Sequence, residues 1–133
     1  MVVVDTSALA AILFDEPEQA TFAEFLVRNR PLISAATVVE AESLMLRRKG
    51  WPGLEHVRRL LREIPVEIEP LRPDDLVWTR DGLNRFRRGR REPSAILNFG
   101  DLFAYALARH LNASLLFKGN DFAQTDIRPA LPT

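Results

Sequence analysis

Short apolar runs alternate with longer amphipathic segments along this chain. Val2–Val4 is uniformly apolar and β-branched, as expected for a strand buried on both faces of a parallel sheet. Apolar and acidic residues alternate over 66–69, as in a half-covered edge strand. The predicted strands are 2–4, 32–34, 66–69 and 114–117. Because helical segments separate them, the pattern predicts an α/β fold, a short parallel sheet of four to five strands with helices on both faces.

Six helices are predicted between these strands, at 8–14, 17–29, 38–49, 52–64, 73–87 and 101–111. Asp5-Thr6-Ser7 can cap the first helix. Thr37 can cap the third, and Gly50 can end it.

Length and composition narrow the class of protein. The 133 residues, 47% of them hydrophobic, suit a single domain over residues 1–133 with an ordinary apolar core. The absence of cysteine excludes a disulfide framework, a cysteine nucleophile and a thiolate metal site. No apolar run approaches the ~20 residues of a membrane helix, and no secretory signal opens the chain. These features predict a cytoplasmic protein without a membrane partner.

Four acidic residues map to one edge of the predicted sheet. Asp5 directly follows the first strand, and Asp121 follows the last. Glu40 lies in the first turn of a helix that leaves the sheet on that side, and Asp101 begins the helix that leads into the last strand. Ligands of parallel sheets bind beyond the carboxyl ends of the strands.

Each acid also has a structural explanation. Asp5 could cap a helix, Thr37 and Glu40 fit a capping box, Asp101 suits a helix start, and Asp121 suits a turn. Together, however, four crowded carboxylates repel one another and raise their own pKa values. A divalent cation relieves that repulsion. Oxygen ligands without His or Cys indicate Mg²⁺ or Mn²⁺, which lowers the pKa of bound water and offsets phosphoryl charge.

Four segments together resemble PIN-domain proteins and, more narrowly, the VapC toxins of prokaryotic toxin–antitoxin operons. They are Val2–Leu9, Ser34–Glu40, Leu97–Ala108 and Leu115–Phe122. The most specific are Asn-Phe-Gly-Asp at 98–101 and Lys-Gly-Asn-Asp-Phe at 118–122. The resemblance covers essentially the whole chain.

The resemblance implies a Mg²⁺-dependent endoribonuclease whose four acids are Asp5, Glu40, Asp101 and Asp121. Asp5 and Asp101 would bind the metal directly. Glu40 and Asp121 would hold waters or complete a second metal site. Ser7 would hydrogen-bond to a metal-binding carboxylate. The resemblance also implies a VapB-type antitoxin as partner and a homodimer.

Basic residues supply candidate RNA contacts. The formal net charge is zero, but 16 of the 18 basic residues are arginines, which suit bidentate phosphate contacts. The best candidates are Arg87, Arg88, Arg90 and Arg91, which precede or open an irregular segment leading to Asp101. Lys118, after the last strand, could also contact a phosphate.

Three other functions are alternatives to a metal-dependent endoribonuclease. A receiver-like phosphoacceptor domain shares the sheet, the acidic Mg²⁺ pocket and a lysine after a late strand, but it needs an acidic pair and a central-strand aspartate that are missing. A haloacid-type phosphatase needs a second Asp where Ser7 stands. A non-catalytic binding module would be favoured by loss of an acid, and none is lost.

Overall fold

A four-stranded parallel sheet organises the fold. The computed structural model describes residues 1–86 and 97–132. The strands are β1 (Val2–Val4), β2 (Leu32–Ser34), β3 (Glu67–Glu69) and β4 (Ser114–Leu116), in the order β3-β2-β1-β4. The helices are α1 (Thr6–Leu13), α2 (Gln19–Asn29), α3 (Ala35–Glu63), α4 (Leu76–Phe86) and α5 (Asp101–Leu111). All strand pairs are parallel, which confirms the predicted α/β architecture with helices on both faces.

Two apolar cores cover the two faces of the sheet. Val2 and Val4 point to the face covered by α1, α2 and α3, whereas Val3 points to the face covered by α4 and α5. The same alternation places Leu116 in the first core and Leu115 in the second. The central strand β1 is therefore apolar at all three positions and buried on both faces, as the sequence pattern predicted.

The start of α3 differs from the sequence prediction. The N-cap is Ser34, whose hydroxyl accepts a hydrogen bond from the amide of Ala36 at 3.2 Å. Thr37, the predicted cap, is buried inside the helix. The helix begins earlier because β2 runs directly into it. Gly50, with φ 67° and ψ −159°, breaks the helix where the sequence placed its end.

The two outer strands of the sheet largely follow the sequence prediction. β3 is an outer strand, as its alternating acids predicted. β4 ends at Leu116, one residue earlier than predicted, and the chain adds a single parallel bridge between Leu115 and Pro129. The predicted helix from Pro73 opens with a 3-10 turn before α4. Within the described residues, no helix is both long and apolar enough to cross a membrane.

Candidate active site

Asp5 lies buried at the carboxyl end of β1, with 2% of its surface exposed. It caps α1, because its Oδ2 accepts hydrogen bonds from the Ser7 amide (3.0 Å) and the Ser7 hydroxyl (2.7 Å). Its Oδ1 is buried and has no hydrogen-bond partner among the described residues. Burial, with a smaller contribution from the charge of Glu40, raises the pKa of Asp5 to about 6, and the Ser7 hydrogen bonds oppose that rise. Capping therefore accounts for only one of its two oxygens.

Asp101, also buried, begins α5. Its Oδ2 accepts a hydrogen bond from the Asn98 amide (3.0 Å), and its own amide donates to the Asn98 side-chain oxygen (2.9 Å). Burial, with the charges of Asp5, Asp121 and Glu40, raises the pKa of Asp101 to about 8, and the Asn98 hydrogen bond opposes that rise. The helix-start explanation is thus correct but incomplete, because the other three acids all act on this carboxyl group.

Glu40 does not form the predicted capping box with Thr37. Its Oε1 instead accepts a short hydrogen bond from the hydroxyl of Thr6, on the first turn of α1. Its Oε2 lies against Gly100, so closely that a Cβ on Gly100 would overlap the carboxylate. Glu40 therefore lies between the first turn of α1, next to Asp5, and Gly100, which directly precedes Asp101 at the start of α5.

Ser7 connects Asp5 to the chain beyond β4. Its hydroxyl donates to Asp5 and accepts a hydrogen bond from the Lys118 amide at 3.0 Å. The Lys118 ammonium group lies 3.1 Å from carboxylate oxygens of both Glu16 and Glu18. A phosphate contact by Lys118, as predicted from the sequence, would compete with these two ion pairs.

Asp121 is the most open of the four acids. It lies on an exposed turn after β4, and its charge raises the pKa of Asp101. The predicted RNA contacts Arg87, Arg88, Arg90 and Arg91 fall in the segment 87–96, outside the described residues.

The residues present suit a hard divalent cation. The donor set contains only carboxylate oxygens, and one of them, Asp5 Oδ1, is buried without a partner among the described residues. Across residues 1–86 and 97–132 there is no preformed group of three or more acidic, His or Cys side chains arranged around one ion. One or two carboxylates are still enough for Mg²⁺, because this ion keeps several of its water ligands when it binds to a protein.

Three residues at this site were missed from the sequence: Thr6, Asn98 and Gly100. Thr6 and Asn98 are polar neighbours of a helix start, a position typical of side chains that make hydrogen bonds. Gly100 replaces the usual capping residue before α5, and a glycine at such a position indicates a close approach by another group. The residue that each of them contacts is determined by the tertiary structure and not by the local sequence.

The PIN domain family model matches residues 2–128. The chain belongs to the PIN domain family. The family match supports neither the receiver-like nor the haloacid-type alternative.

Curated relatives of this PIN domain are VapC ribonucleases. Ribonuclease VapC42 of Mycobacterium tuberculosis is 37% identical over 129 residues, which cover 96% of this chain and 98% of the relative. Ribonuclease VapC30 of the same organism is 36% identical over 132 residues, covering 98% and 99%. Ribonuclease VapC of Mycolicibacterium smegmatis is 38% identical over 127 residues, covering 94% and 96%.

Solved structures share the fold at lower identity. VapC20 of Mycobacterium tuberculosis, described as a toxin that cleaves the sarcin-ricin loop, superposes with a TM-score of 0.71 and 22% identity, covering 97% of this chain and all of that one. VapBC2 of Rickettsia felis, bound to a promoter DNA fragment, superposes with a TM-score of 0.68 and 18% identity, covering 97% and 96%.

Proposed function

We propose that this PIN domain is a Mg²⁺-dependent endoribonuclease and the toxin of a type II toxin–antitoxin system. The observation that carries the proposal is the buried pair Asp5 and Asp101, whose pKa values are raised by burial and by neighbouring acids. The cost of burying these charges is relieved by a cation. The names of the VapC relatives support RNA as the substrate.

Each acid has a separate role in this proposal. Asp5 and Asp101 hold the metal, with Asp5 offering the Oδ1 that lacks a hydrogen-bond partner among the described residues. Glu40 and Asp121 orient water molecules or complete a second metal site. Ser7 directs Asp5, because its hydroxyl fixes Oδ2 and leaves Oδ1 for the metal.

Hydrolysis of the phosphodiester bond follows from this arrangement. When bound, Mg²⁺ or Mn²⁺ lowers the pKa of a coordinated water and offsets the negative charge of the phosphoryl group. The water oxygen forms a new bond to phosphorus as the P–O bond to the leaving nucleotide breaks. Glu40, whose carboxylate accepts a hydrogen bond from Thr6, would take the proton that the attacking water loses, and the leaving oxygen would gain a proton from solvent.

An acidic pocket repels RNA unless basic residues lie beside it. We assign this role to Arg87, Arg88, Arg90 and Arg91, which precede Asp101 in the sequence. Lys118 is a further candidate for a phosphate contact, in which RNA would compete with Glu16 and Glu18 for its ammonium group.

A VapB-type antitoxin is the proposed protein partner, supported by the VapBC2 complex among the structural relatives. An arginine of the antitoxin could pair with the acids in place of the metal. We also propose a homodimer formed by the single domain of residues 1–133. Co-expression with a small VapB-type protein encoded beside it should give a stable complex that does not cleave RNA.

RNA cleavage in the presence and absence of metal tests the nuclease assignment. The purified protein should cut single-stranded or looped RNA in Mg²⁺ or Mn²⁺ and stop in EDTA. Asp101→Asn should abolish cleavage, because it removes a metal-binding charge while nearly preserving the shape. RNA binding without cleavage in any divalent metal would instead support a non-catalytic binding module.

A further inference from the structure

A groove opens beside the acidic residues, between α3 and the start of α5. Its volume is about 460 Å³. The lining combines apolar side chains with one acid, one hydroxyl and one arginine, from Ala36, Val39, Glu40, Ser43, Arg47, Phe99, Gly100 and Phe103. Because Glu40 belongs to both, the groove is continuous with the proposed catalytic site.

Phe99 is the unusual residue of this groove. It is 77% exposed, more than any other large hydrophobic side chain among the described residues. Its ring meets the ring of Phe103 edge-to-face, with centroids 5.0 Å apart and an interplanar angle of 84°. One face of an aromatic ring is thus presented to solvent two residues before Asp101, in a defined orientation.

Polar groups follow the same groove along α3. Glu40, Ser43 and Arg47 are spaced by three and four residues, which places them on one face of the helix. Arg47 lies about 10 Å along the helix axis from Glu40. The groove therefore has an acidic end at the proposed reaction centre and a cationic end two turns away.

We propose that this groove is a nucleobase subsite, in which a base next to the scissile phosphate stacks on Phe99. The proposal rests on the nuclease function proposed above and specifies how that site holds its substrate. Ser43 is placed to hydrogen-bond with the base edge, and Arg47 to contact a phosphate further along the strand.

The composition of the groove favours a nucleotide over an apolar protein segment. A nucleotide needs an aromatic platform, a hydrogen-bonding group and a cation, and the groove supplies all three. An RNA strand whose phosphate reaches the four acids must also place a neighbouring nucleotide near Glu40, and Glu40 lines this groove. An apolar side chain of a protein partner would use Phe99 but would not require Arg47.

A double-mutant cycle, in which one change is made in the protein and the other in the RNA, tests the subsite. Single-stranded RNA cut at one mapped position is compared with the same RNA carrying an abasic nucleotide on the 5′ or the 3′ side of that position. Phe99→Ala should lower kcat/KM on intact RNA by roughly 5- to 150-fold, the range of base–aromatic stacking. On one of the two abasic RNAs it should change kcat/KM less than about twofold, because the stacking partner is already missing.

Control variants separate stacking from other roles of Phe99. Phe99→Tyr should retain the coupling, whereas Phe99→Leu, which keeps apolar bulk, should lose it. Trp51→Ala removes another exposed aromatic side chain, 72% exposed, that does not line the groove, and it should leave both RNAs unaffected.

Several results would overturn the subsite without affecting the nuclease proposal. One is that the wild type cleaves RNA and Phe99→Ala lowers kcat/KM by the same factor on intact RNA and on both abasic RNAs. Another is retention of the coupling by Phe99→Leu. A third is loss of antitoxin binding or of dimer formation on Phe99→Ala with cleavage unchanged, which would assign the groove to a protein. Absence of cleavage by the wild type would instead refute the proposed function itself.

Discussion

The carboxylate of Glu40 occupies the space into which a side chain on Gly100 would project. The backbone of Gly100 is helical, with φ −64° and ψ −36°, so alanine would fit the backbone without strain. The absence of a side chain is therefore required by the carboxylate of Glu40 and not by the conformation of the chain.

Gly100→Ala should displace Glu40 and lower RNA cleavage by about 100-fold, the effect expected when a reacting group moves by roughly 1 Å. It should also destabilise the fold by about 1 kcal/mol, because the Glu40 side chain can move aside but then loses its hydrogen bond from Thr6. In a Glu40→Ala background the same change should cost nothing in the free energy of unfolding, because the space is then empty. Urea unfolding of the four proteins measures this, and equal destabilisation in both backgrounds would contradict the contact.

Ser7→Ala should raise the pKa of Asp5 above about 6, because the hydrogen bonds from Ser7 lower that pKa and the hydroxyl contributes one of them. Carboxyl NMR titration in EDTA measures the shift directly. Cleavage should fall by about 10- to 100-fold, as for loss of a group that orients a metal ligand. An unchanged pKa with reduced cleavage would mean that Ser7 acts through the Lys118 amide instead.

The metal-free protein should become less stable as pH rises from about 4 to about 8. Asp5 and Asp101 have higher pKa values folded than unfolded, so the folded state binds more protons in this window and loses stability as they dissociate. The slope should reach at most about 1.4 kcal/mol per pH unit for each group. Urea unfolding in EDTA should show it.

Asp101→Asn separates the two contributions to that slope. It should flatten the slope between about pH 6 and 8 and leave the metal-free protein as stable as the wild type or more so. Mg²⁺ should raise the free energy of unfolding of the wild type by about 2.7 kcal/mol at 100 times Kd, and that of the variant by less. Equal destabilisation of Asp101→Asn in EDTA and in Mg²⁺, with cleavage retained, would make Asp101 a structural cap.

Tyr105→Phe should reduce stability without reducing cleavage. The buried Tyr105 hydroxyl lies 3.2 Å from Asp81 and 3.1 Å from Asp126, and it accepts a hydrogen bond from Arg109 at 2.8 Å. Loss of this hydroxyl should cost about 1 kcal/mol of unfolding free energy, while the packing of the ring on Phe86 is kept. A drop in kcat/KM without a loss of stability would give this cluster a role in catalysis.

Neutralising two of Arg87, Arg88, Arg90 and Arg91 should weaken RNA binding and reduce the slope of log affinity against log salt by roughly one per lost contact. Arg58→Gln with Arg62→Gln is the matched control, because these arginines pair with Glu55 on α3 and the change in net charge is the same. Equal slopes for the two double variants would remove the assigned RNA contact.

The strands and the sheet edge could be predicted because they depend on local pattern and a general topological rule. Val2–Val4 is apolar throughout, and the carboxyl ends of parallel strands share one edge. The start of α3 could not be predicted in the same way, because Ser34 and Thr37 are both good caps and only the end of β2 selects between them.

The partners of the site residues depended on contacts between distant parts of the chain. Thr6 and Glu40 are 34 residues apart, and Lys118 is 102 residues from Glu16. Sequence spacing placed Glu40 at the correct edge but assigned its carboxylate to Thr37. It also gave no sign of the ion pairs of Lys118 with Glu16 and Glu18, because the position of the turn between α1 and α2 is set by packing.

The earliest strand to be synthesised is completed by the last. The amide of Asp5 donates to the carbonyl of Leu116, and the Ser7 hydroxyl accepts from the Lys118 amide. A growing chain that stops before β4 contains Asp5 and Glu40 but lacks Leu116, which accepts from the Asp5 amide, and Lys118, which donates to the Ser7 hydroxyl. Asp121 follows later still. Translation at about 5–20 residues per second thus leaves several seconds between the first acid and the last. On this topology the nuclease is incomplete during most of its own synthesis, while it is still attached to transfer RNA on the ribosome.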